Sequence, residues 1–310
     1  MTETQNREVK EVCFEASLGD EDERIDKVVT AWFADLSRSY IQKMVKDGNI
    51  FVNEQTIKSN YKVKEGDMIR CMIPACVEPE IEAENIPLDI LYEDEDLLIV
   101  NKPKGMVVHP SAGHYSHTLV NALLYHCKDQ LSGINGVFRP GIVHRIDKDT
   151  TGSLIVCKNE YTHNSIAMQL KEHSITRKYR AIVYGNFEQQ EGTVDAPVGR
   201  DPRDRKKMAV NEKNGKPAVT HYRVLQQFDG YSYIECQLET GRTHQIRVHM
   251  TSIGHPLLGD EIYGKRSCKW KLQGQCLHAM TIGFVHPAKN EYMEFIAPLP
   301  DYFTHLLQIL

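Results

Sequence analysis

Two carboxylates lie in a short polar segment between two runs of β-prone residues. Asp147 and Asp149 follow residues 141–146 and precede residues 153–158. A carboxylate in a loop fixed by rigid strands can act as a nucleophile or as a proton acceptor. Asp also closes turns through its side chain, so these residues alone leave a catalytic and a structural interpretation open.

A second segment, 239–250, brings Arg242, His244, Arg247 and His249 to the start of a predicted helix. Helical spacing places Arg242 and Arg247 on different faces, so the two arginines need not do the same work. One could hold a phosphate while the other pairs with a buried carboxylate. Ordinary salt-bridged arginines on a surface helix are the alternative.

The predicted strand at 175–184 alternates so that Arg177, Tyr179 and Ala181 share one face. An aromatic ring beside cations is suited to stack on an unpaired nucleobase, whereas a tyrosine in a protein core is the simpler alternative. The segment that follows includes a basic loop at 200–208, which could grip RNA if it lies beside a stacking site.

The formal net charge of −5 hides a segregation of charge along the chain. Residues 77–99 contain nine Asp and Glu and no Lys or Arg, whereas residues 171–223 contain twelve Lys and Arg against seven Asp and Glu. This distribution fits a protein that presents one basic face to a polyanion, although two solvated faces would give the same counts.

The composition is typical of a soluble globular protein with room for two domains in its 310 residues. The chain has no apolar run long enough to span a membrane, and its polar start lacks the order of a signal peptide. Its eight cysteines are dispersed without a C-x-x-C pair, so we expect reduced thiols. We therefore predict a cytoplasmic protein that does not associate with membranes.

We predict four parts: an acidic flexible arm at 1–22, a small domain at 23–75, a linker at 76–87 that packs against nothing, and a larger domain at 88–310. The small domain has two helices followed by a hairpin, and its second helix exposes Arg38 and Lys43, which could follow RNA phosphates. This unit resembles the S4 RNA-binding domain. The resemblance rests on Arg24-Ile25-Asp26-Lys27, Ser37-Arg38-Ser39, Gly48-Asn49-Ile50-Phe51-Val52-Asn53 and Gly66-Asp67.

The larger domain is rich in predicted strands. These lie at 96–101, 141–146, 153–158, 175–184, 220–225, 231–238 and 292–297, with helices at 118–127 and 161–173. Because strands outnumber helices and do not alternate with them regularly, we predict an α+β domain built on a mixed, largely antiparallel sheet.

This larger domain resembles the RluA/RluD-type large-subunit (23S) ribosomal RNA pseudouridine synthases. The motifs that carry the resemblance are Asn101-Lys102-Pro103, His109-Pro110, His144-Arg145-Ile146-Asp147, Thr150-Thr151-Gly152, Arg177-Lys178-Tyr179, Thr240-Gly241-Arg242-Thr243-His244-Gln245-Ile246-Arg247, His255-Pro256-Leu257, Gly259-Asp260, Tyr263-Gly264 and Leu277-His278-Ala279. Ile146 and Arg177 depart mildly from the family pattern, which more often has leucine and lysine there.

The resemblance implies a pseudouridine synthase fold and an isomerase that turns uridine in RNA into pseudouridine. In this family the aspartate of the His-Arg-x-Asp motif is the sole indispensable carboxylate, which implies that role for Asp147. The resemblance also implies that Arg247 pairs with Asp147, that Tyr179 packs on the target base and that Leu277 lines its pocket. The target base must leave its stack, and we expect Arg145 to fill the space that it vacates.

Because substrate and product are isomers, we expect neither a cofactor nor a metal. The expected partner is 23S rRNA or a precursor of the large ribosomal subunit, modified by a monomer. The residues expected to contact RNA besides Arg145 and Leu277 are Arg242, Arg38, Lys43, Arg203, Arg205, Lys206 and Lys207.

Four alternatives remain open from the sequence. A glycoside hydrolase would need a second carboxylate, for which Asp149 is the nearby candidate. A zinc site could use His109, His114 and His117. The chain could also be an RNA-binding ribosome-assembly factor without catalysis, or a synthase that acts on another RNA such as tRNA.

Overall fold

The computed structural model describes residues 10–33, 36–73, 81–111, 113–128, 130–136, 138–204, 207–264 and 268–310. They fall into two compact units, one within Met1–Pro79 and one within Glu80–Leu310. None of the helices in these ranges is long and apolar enough to cross a bilayer. The seven cysteines within them are all unpaired.

The N-terminal unit packs two helices on a four-stranded sheet of order β1-β4-β2-β3. Its apolar core includes Ile25, Val29, Ile41 and Ile69, all fully buried. The hydroxyl of Ser37 accepts a hydrogen bond from the Tyr40 amide and so caps the second helix. The elements are β1 (Lys10–Glu15), α1 (Ile25–Trp32), α2 (Arg38–Lys46), β2 (Ile50–Val52), β3 (Gln55–Thr56) and β4 (Met68–Ile73).

The prediction of a flexible arm is wrong for residues 10–22. β1 pairs antiparallel with β4 along its full length. Phe14 is buried in the core of this unit, and its ring stacks on Trp32 with centroids 4.2 Å apart. Val12 and Phe14 alternate with Glu11, Cys13 and Glu15, but so short a pattern is too weak a signal against the acidic composition. Residues 1–9 lie outside the described ranges.

The larger unit is built on a nine-stranded sheet of order β5-β6-β7-β14-β8-β13-β12-β9, with β15 pairing with β14. Adjacent strands in this sheet run antiparallel, except that β7 and β14 run parallel. The predicted α+β class with a largely antiparallel sheet is therefore confirmed. The sheet strands are β5 (Ile90–Glu93), β6 (Leu97–Lys102), β7 (Thr151–Cys157), β8 (Thr176–Tyr184), β9 (Glu191–Asp195), β12 (Val219–Phe228), β13 (Tyr231–Leu238), β14 (Leu277–Val285) and β15 (Tyr292–Ile296).

Two further strands form a separate antiparallel hairpin, β10 (Val198–Arg200) and β11 (Met208–Val210). Val248 of the fifth helix is in the same apolar cluster as Met208 and Val210 of this hairpin. The helices of this unit are α3 (Leu119–Cys127), α4 (Glu160–Lys171), α5 (Gln245–Ser252) and α6 (Asp301–Ile309).

The contact between β7 and β14 depends on a glycine. Gly152 has a φ of +109°, and a Cβ atom there would lie 2.3 Å from the carbonyl oxygen of Ala279. No other residue type fits this backbone and this spacing. The start of β7 is therefore held directly against β14, which fixes one end of the loop that carries Asp147.

The prediction of a strand at 141–146 is wrong. This segment forms only an isolated bridge between Ile142 and Val156. Gly141 adopts a φ of +69°, which interrupts an extended run. The amide of Ile155, which a neighbouring strand would otherwise satisfy, donates to Nε2 of His144 at 2.9 Å instead. A hydrogen bond to the His144 side chain thus takes the place of a strand-to-strand backbone hydrogen bond at Ile155.

The predicted linker also differs from expectation within residues 81–87. Ile81 packs against the core of the larger unit. The amide of Glu84 donates to the carbonyl of Asn121, and its carboxylate accepts from the amide of His117. These residues are therefore part of the larger unit, whereas residues 74–80 lie outside the described ranges.

Candidate active site

The loop that carries Asp147 is held by a buried lysine at the end of β6. Nζ of Lys102 donates to the carbonyls of Pro103, Met106 and Lys148 at 2.8–2.9 Å. Lys102 is fully buried, and burial lowers its pKa to about 7 while the charges of Asp149 and Asp147 act in the opposite direction. All three donors of the ammonium are used, so one side chain ties the Asp147 loop to β6.

Arg247 lies in α5 and joins two carboxylates. Its Nε and Nη2 donate to the two oxygens of Asp260 at 2.7 and 2.9 Å, and its Nη1 donates to Oδ2 of Asp147 at 2.9 Å. Burial alone would lower the pKa of Arg247, but the hydrogen bonds and charges of Asp260 and Asp147 raise it above its usual value. The guanidinium is therefore a permanent cation aimed at Asp147.

His244 is a residue near the carboxylate whose role the sequence did not reveal. It precedes α5 in a left-handed conformation with a φ of +57°. Its Nδ1 is 2.8 Å from the hydroxyl of Tyr263, and its Nε2 is 3.7 Å from Oδ1 of Asp147. Burial lowers its pKa despite the charge of Asp147. Strained residues of this kind often occur at functional sites, and that conformation could not be read from spacing.

Asp147, Arg145, Tyr179, Arg242 and Leu277 line one cavity. Tyr179 comes from β8 and Leu277 from β14, and both side chains are nearly buried. Burial raises the pKa of Tyr179, so its phenol is neutral at physiological pH. The cavity thus combines an aromatic ring, an apolar side chain and a carboxylate, which suits a flat polar ring beside a reactive group.

Arg145 is exposed at the mouth of this cavity. Its Nη1 lies 3.5 Å from Nε2 of buried His109. No carboxylate among the described residues forms an ion pair with it. Burial and the positive charges of Arg145 and Arg139 lower the pKa of His109 to about 4, so the imidazole does not add charge at neutral pH.

The other predicted RNA contacts are dispersed. Nε of Arg242 donates to the carbonyl of Pro217 at 3.0 Å. Arg203 and Lys207 lie in the β10–β11 connection, whereas Arg205 and Lys206 lie outside the described residues. In the N-terminal unit, Lys43 is exposed, and Arg38 is half-exposed while donating to both oxygens of buried Asp26.

The β10–β11 hairpin contacts the site through one hydroxyl. The amide of Met208 donates to the hydroxyl of Tyr263 at 2.8 Å, and the same hydroxyl contacts His244. A short chain of contacts therefore joins the hairpin to His244 and the region of Asp147.

The second carboxylate of the segment is placed differently from the first. Asp149 does not line the cavity formed by Tyr179 and Leu277, although it shares a neighbouring cavity with Asp147. Its Oδ1 is buried without a hydrogen-bond partner. The arrangement offers a single carboxylate to a ring bound against Tyr179, which disfavours a hydrolase with two carboxylates.

The proposed zinc ligands do not come together. Among the described residues, the one group of three or more potential ligands with ligand atoms within 4.8 Å of one another is Asp94, Asp96 and His286. Nζ of Lys289 already binds Asp94 at 2.8 Å, so a cation occupies this acidic group.

The chain is similar to known RNA pseudouridine synthases in sequence and in fold. The family model for RNA pseudouridylate synthase matches residues 96–252, and the model for the S4 domain matches residues 23–69. An uncharacterized RNA pseudouridine synthase of Bacillus subtilis is 51% identical over 97% of this chain and 99% of its own length. The ribosomal large subunit pseudouridine synthase D of Zymomonas mobilis is 48% identical over 93% of each chain. The solved structure of human RNA pseudouridylate synthase domain containing 1 has 29% identity and a TM-score of 0.57, covering 72% of this chain and 87% of that chain.

Proposed function

Because the chain belongs to the RNA pseudouridine synthase family, whose members isomerise uridine in RNA, we propose that it modifies uridines in a stem-loop of 23S rRNA and that Asp147 is its catalytic carboxylate. Relatives named ribosomal large subunit pseudouridine synthase D, at 48% and 42% identity, support the choice of RNA. An S4 domain ahead of the catalytic unit fits an RNA substrate. Maturation of the large subunit in the cytoplasm is the setting that this substrate implies.

The pairing of Arg247 with Asp147, 2.9 Å between Nη1 and Oδ2, is the observation that carries the proposed mechanism. The guanidinium donates a hydrogen bond that orients the carboxylate, and a positioned carboxylate can serve as a nucleophile or a base. The reaction breaks the bond between N1 and C1′ of the uridine and joins C1′ to C5. N1 gains a proton and C5 loses one, so the overall reaction needs no oxidant and no group donor.

The other site residues would hold and expose the base. Tyr179 and Leu277 both line the cavity and would contact a uracil that has left its stack. Arg145 is exposed at the cavity mouth without a carboxylate partner among the described residues, so its side chain is available to occupy the gap in the RNA. These roles make the cavity a site for one extruded base.

Tritium release from 5-tritiated uridine in unmodified 23S rRNA tests the proposal. Wild-type protein should release tritium, and Asp147→Asn should not, although it should bind the RNA with wild-type affinity. Mapping the modified positions would then give the targets. Absence of release from both free rRNA and assembled large subunits, with release from tRNA, would overturn the proposed substrate.

A further inference from the structure

A second cavity adjoins the one that contains Asp147. Its volume is about 540 Å³, within the range of small-molecule sites, and Arg145, Tyr179 and Arg242 line both cavities. Five cationic side chains line it: Arg139, Arg145, Lys171, Arg177 and Arg242. We call this cavity the basic chamber.

The basic chamber has no carboxylate in its lining. Within the described part of the chain, none of its five cations forms an ion pair with Asp or Glu. A cavity of similar size, about 560 Å³, is different: Lys178 and Arg223 line it together with Glu191 and Glu235. There Arg223 pairs with Glu235 at 3.2 Å. Unbalanced positive charge is therefore a property of the chamber rather than of every cavity on this sheet.

Arg177 is the buried cation of the chamber. Only 7% of the residue is exposed, and its Nη2 donates to the carbonyl of Glu239 at 2.8 Å. Its Nε is buried with no hydrogen-bond partner. Burying a cation without an anion is costly, and a bound anion would offset that cost.

We propose that the basic chamber binds the backbone phosphates of the nucleotides next to the target uridine, with Arg177 as the innermost cation. The inference rests on the proposed function, because it takes RNA as the substrate. Arg145, Tyr179 and Arg242 line both cavities, so a strand whose base enters beside Tyr179 would lie next to the chamber. Five cations lining one cavity match a polyanion with several phosphates better than a single free phosphate.

Variants that remove positive charge test whether the chamber binds RNA phosphates. The double variant Arg139→Gln/Lys171→Gln removes two exposed cations from its rim, and Arg177→Gln removes the buried one. The matched control is Lys128→Gln/Lys213→Gln, which removes the same charge from exposed positions outside the chamber. RNA affinity is measured in the Asp147→Asn background against salt concentration, and kcat and KM are measured with Asp147 intact, both on unmodified 23S transcript.

The rim variant should raise KM several-fold and leave kcat close to wild type. Its plot of log affinity against log salt should become shallower by about 0.7 for each phosphate of single-stranded RNA that the variant no longer neutralises. The control should match the wild type in both respects. Arg177→Gln should show the same direction of change as the rim variant.

A chemically modified RNA locates the interaction. Once the target uridine is mapped, single flanking phosphates are replaced by neutral methylphosphonates in a short RNA. Replacement of a phosphate bound in the chamber should weaken binding to the wild type and have no further effect on the rim variant, since the same interaction is removed from either side.

The outcomes separate this inference from the proposed function. If the wild type releases no tritium from any 23S substrate, the proposed function fails. If the wild type is active but the chamber variants match the control in KM and in salt dependence, the chamber inference is overturned. A loss confined to kcat, with unchanged KM and salt dependence, would also overturn it, because these residues would then support the site without contacting RNA.

Discussion

Arg247 binds both oxygens of Asp260 through Nε and Nη2, which leaves Nη1 as the donor that reaches Asp147. Asp260 is itself fixed, because its Oδ1 also accepts from the amides of Ile262 and Tyr263. The orientation of the guanidinium is thus set by a buried carboxylate that does not line the cavity around Tyr179. Asp147 receives one directed hydrogen bond at Oδ2, and its Oδ1 lies 3.7 Å from Nε2 of His244.

Removing the charge of Asp260 should therefore harm both folding and catalysis. Asp260→Asn leaves a buried guanidinium with only one carboxylate, and loss of one partner of a buried pair typically costs about 3–5 kcal/mol. Urea unfolding and tritium release would measure the two effects. Asp229→Asn, at an exposed loop position, is the control. Wild-type stability and activity in Asp260→Asn would show that Asp260 does not hold Arg247 in place.

The two carboxylates of the 147–149 segment should differ sharply in their importance. Asp147→Asn should abolish isomerisation, whereas Asp149→Asn should retain most of it, because Asp149 lies outside the cavity formed by Tyr179 and Leu277. Single-turnover rates on 23S transcript provide the comparison. Equal loss in both variants would instead favour a mechanism that uses two carboxylates.

Because β7 and β14 lie so close together, adding one methyl group at Gly152 should strongly destabilise the fold. Gly152→Ala forces an L side chain into a φ of +109° and places its Cβ 2.3 Å from a carbonyl oxygen. Backbone strain of this kind costs about 1–3 kcal/mol before the strands are pushed apart. Gly133→Ala is the matched control, since its Cβ would meet no atom within 4 Å. Thermal unfolding should separate the two variants, and equal melting temperatures would contradict the packing described for Gly152.

We predict that the buried His144 makes the folded protein less stable in acid. Burial and the positive charge of Arg177 lower its pKa to about 3, from about 6.5 in the unfolded chain. Between these two values the unfolded chain binds more protons than the folded one, so stability falls as the pH is lowered from 6.5 towards 3. His144→Gln offers a non-titrating acceptor for the Ile155 amide. Urea midpoints at several pH values should fall less steeply for this variant, and parallel curves would exclude His144 as a source of acid sensitivity.

The parts of this fold that were predictable are those whose signals are local. Ser37 marks the start of α2, and the alternation of Arg177, Tyr179 and Ala181 predicts a strand with one buried face. The motif at 144–147 and the motif at 240–247 together indicated the site through a family resemblance. Their residues are 100 positions apart at the Asp147–Arg247 contact, which spacing alone cannot reveal.

The parts that were not predictable depend on distant partners. Asp260 gains its importance from Arg247, and Lys102 from the carbonyl of Lys148, 46 residues away. The strand expected at 141–146 is absent because a histidine ring satisfies the β7 amide that a backbone carbonyl would otherwise bind. β1 was not predicted because β4, the strand that pairs with it, follows more than fifty residues later.

The position of β14 has a consequence for how the protein is made. β14 lies between β7 and β8, and the hydroxyl of Ser153 in β7 donates to the carbonyl of Ala279, 126 residues later. During synthesis from the N-terminus, β7 and β8 emerge from the ribosome long before the strand that joins them. All strands of the N-terminal unit lie before residue 74 of the chain, so that unit can fold early. The larger unit cannot complete its sheet until almost the whole chain has been translated. Its apolar strand edges stay uncovered until then.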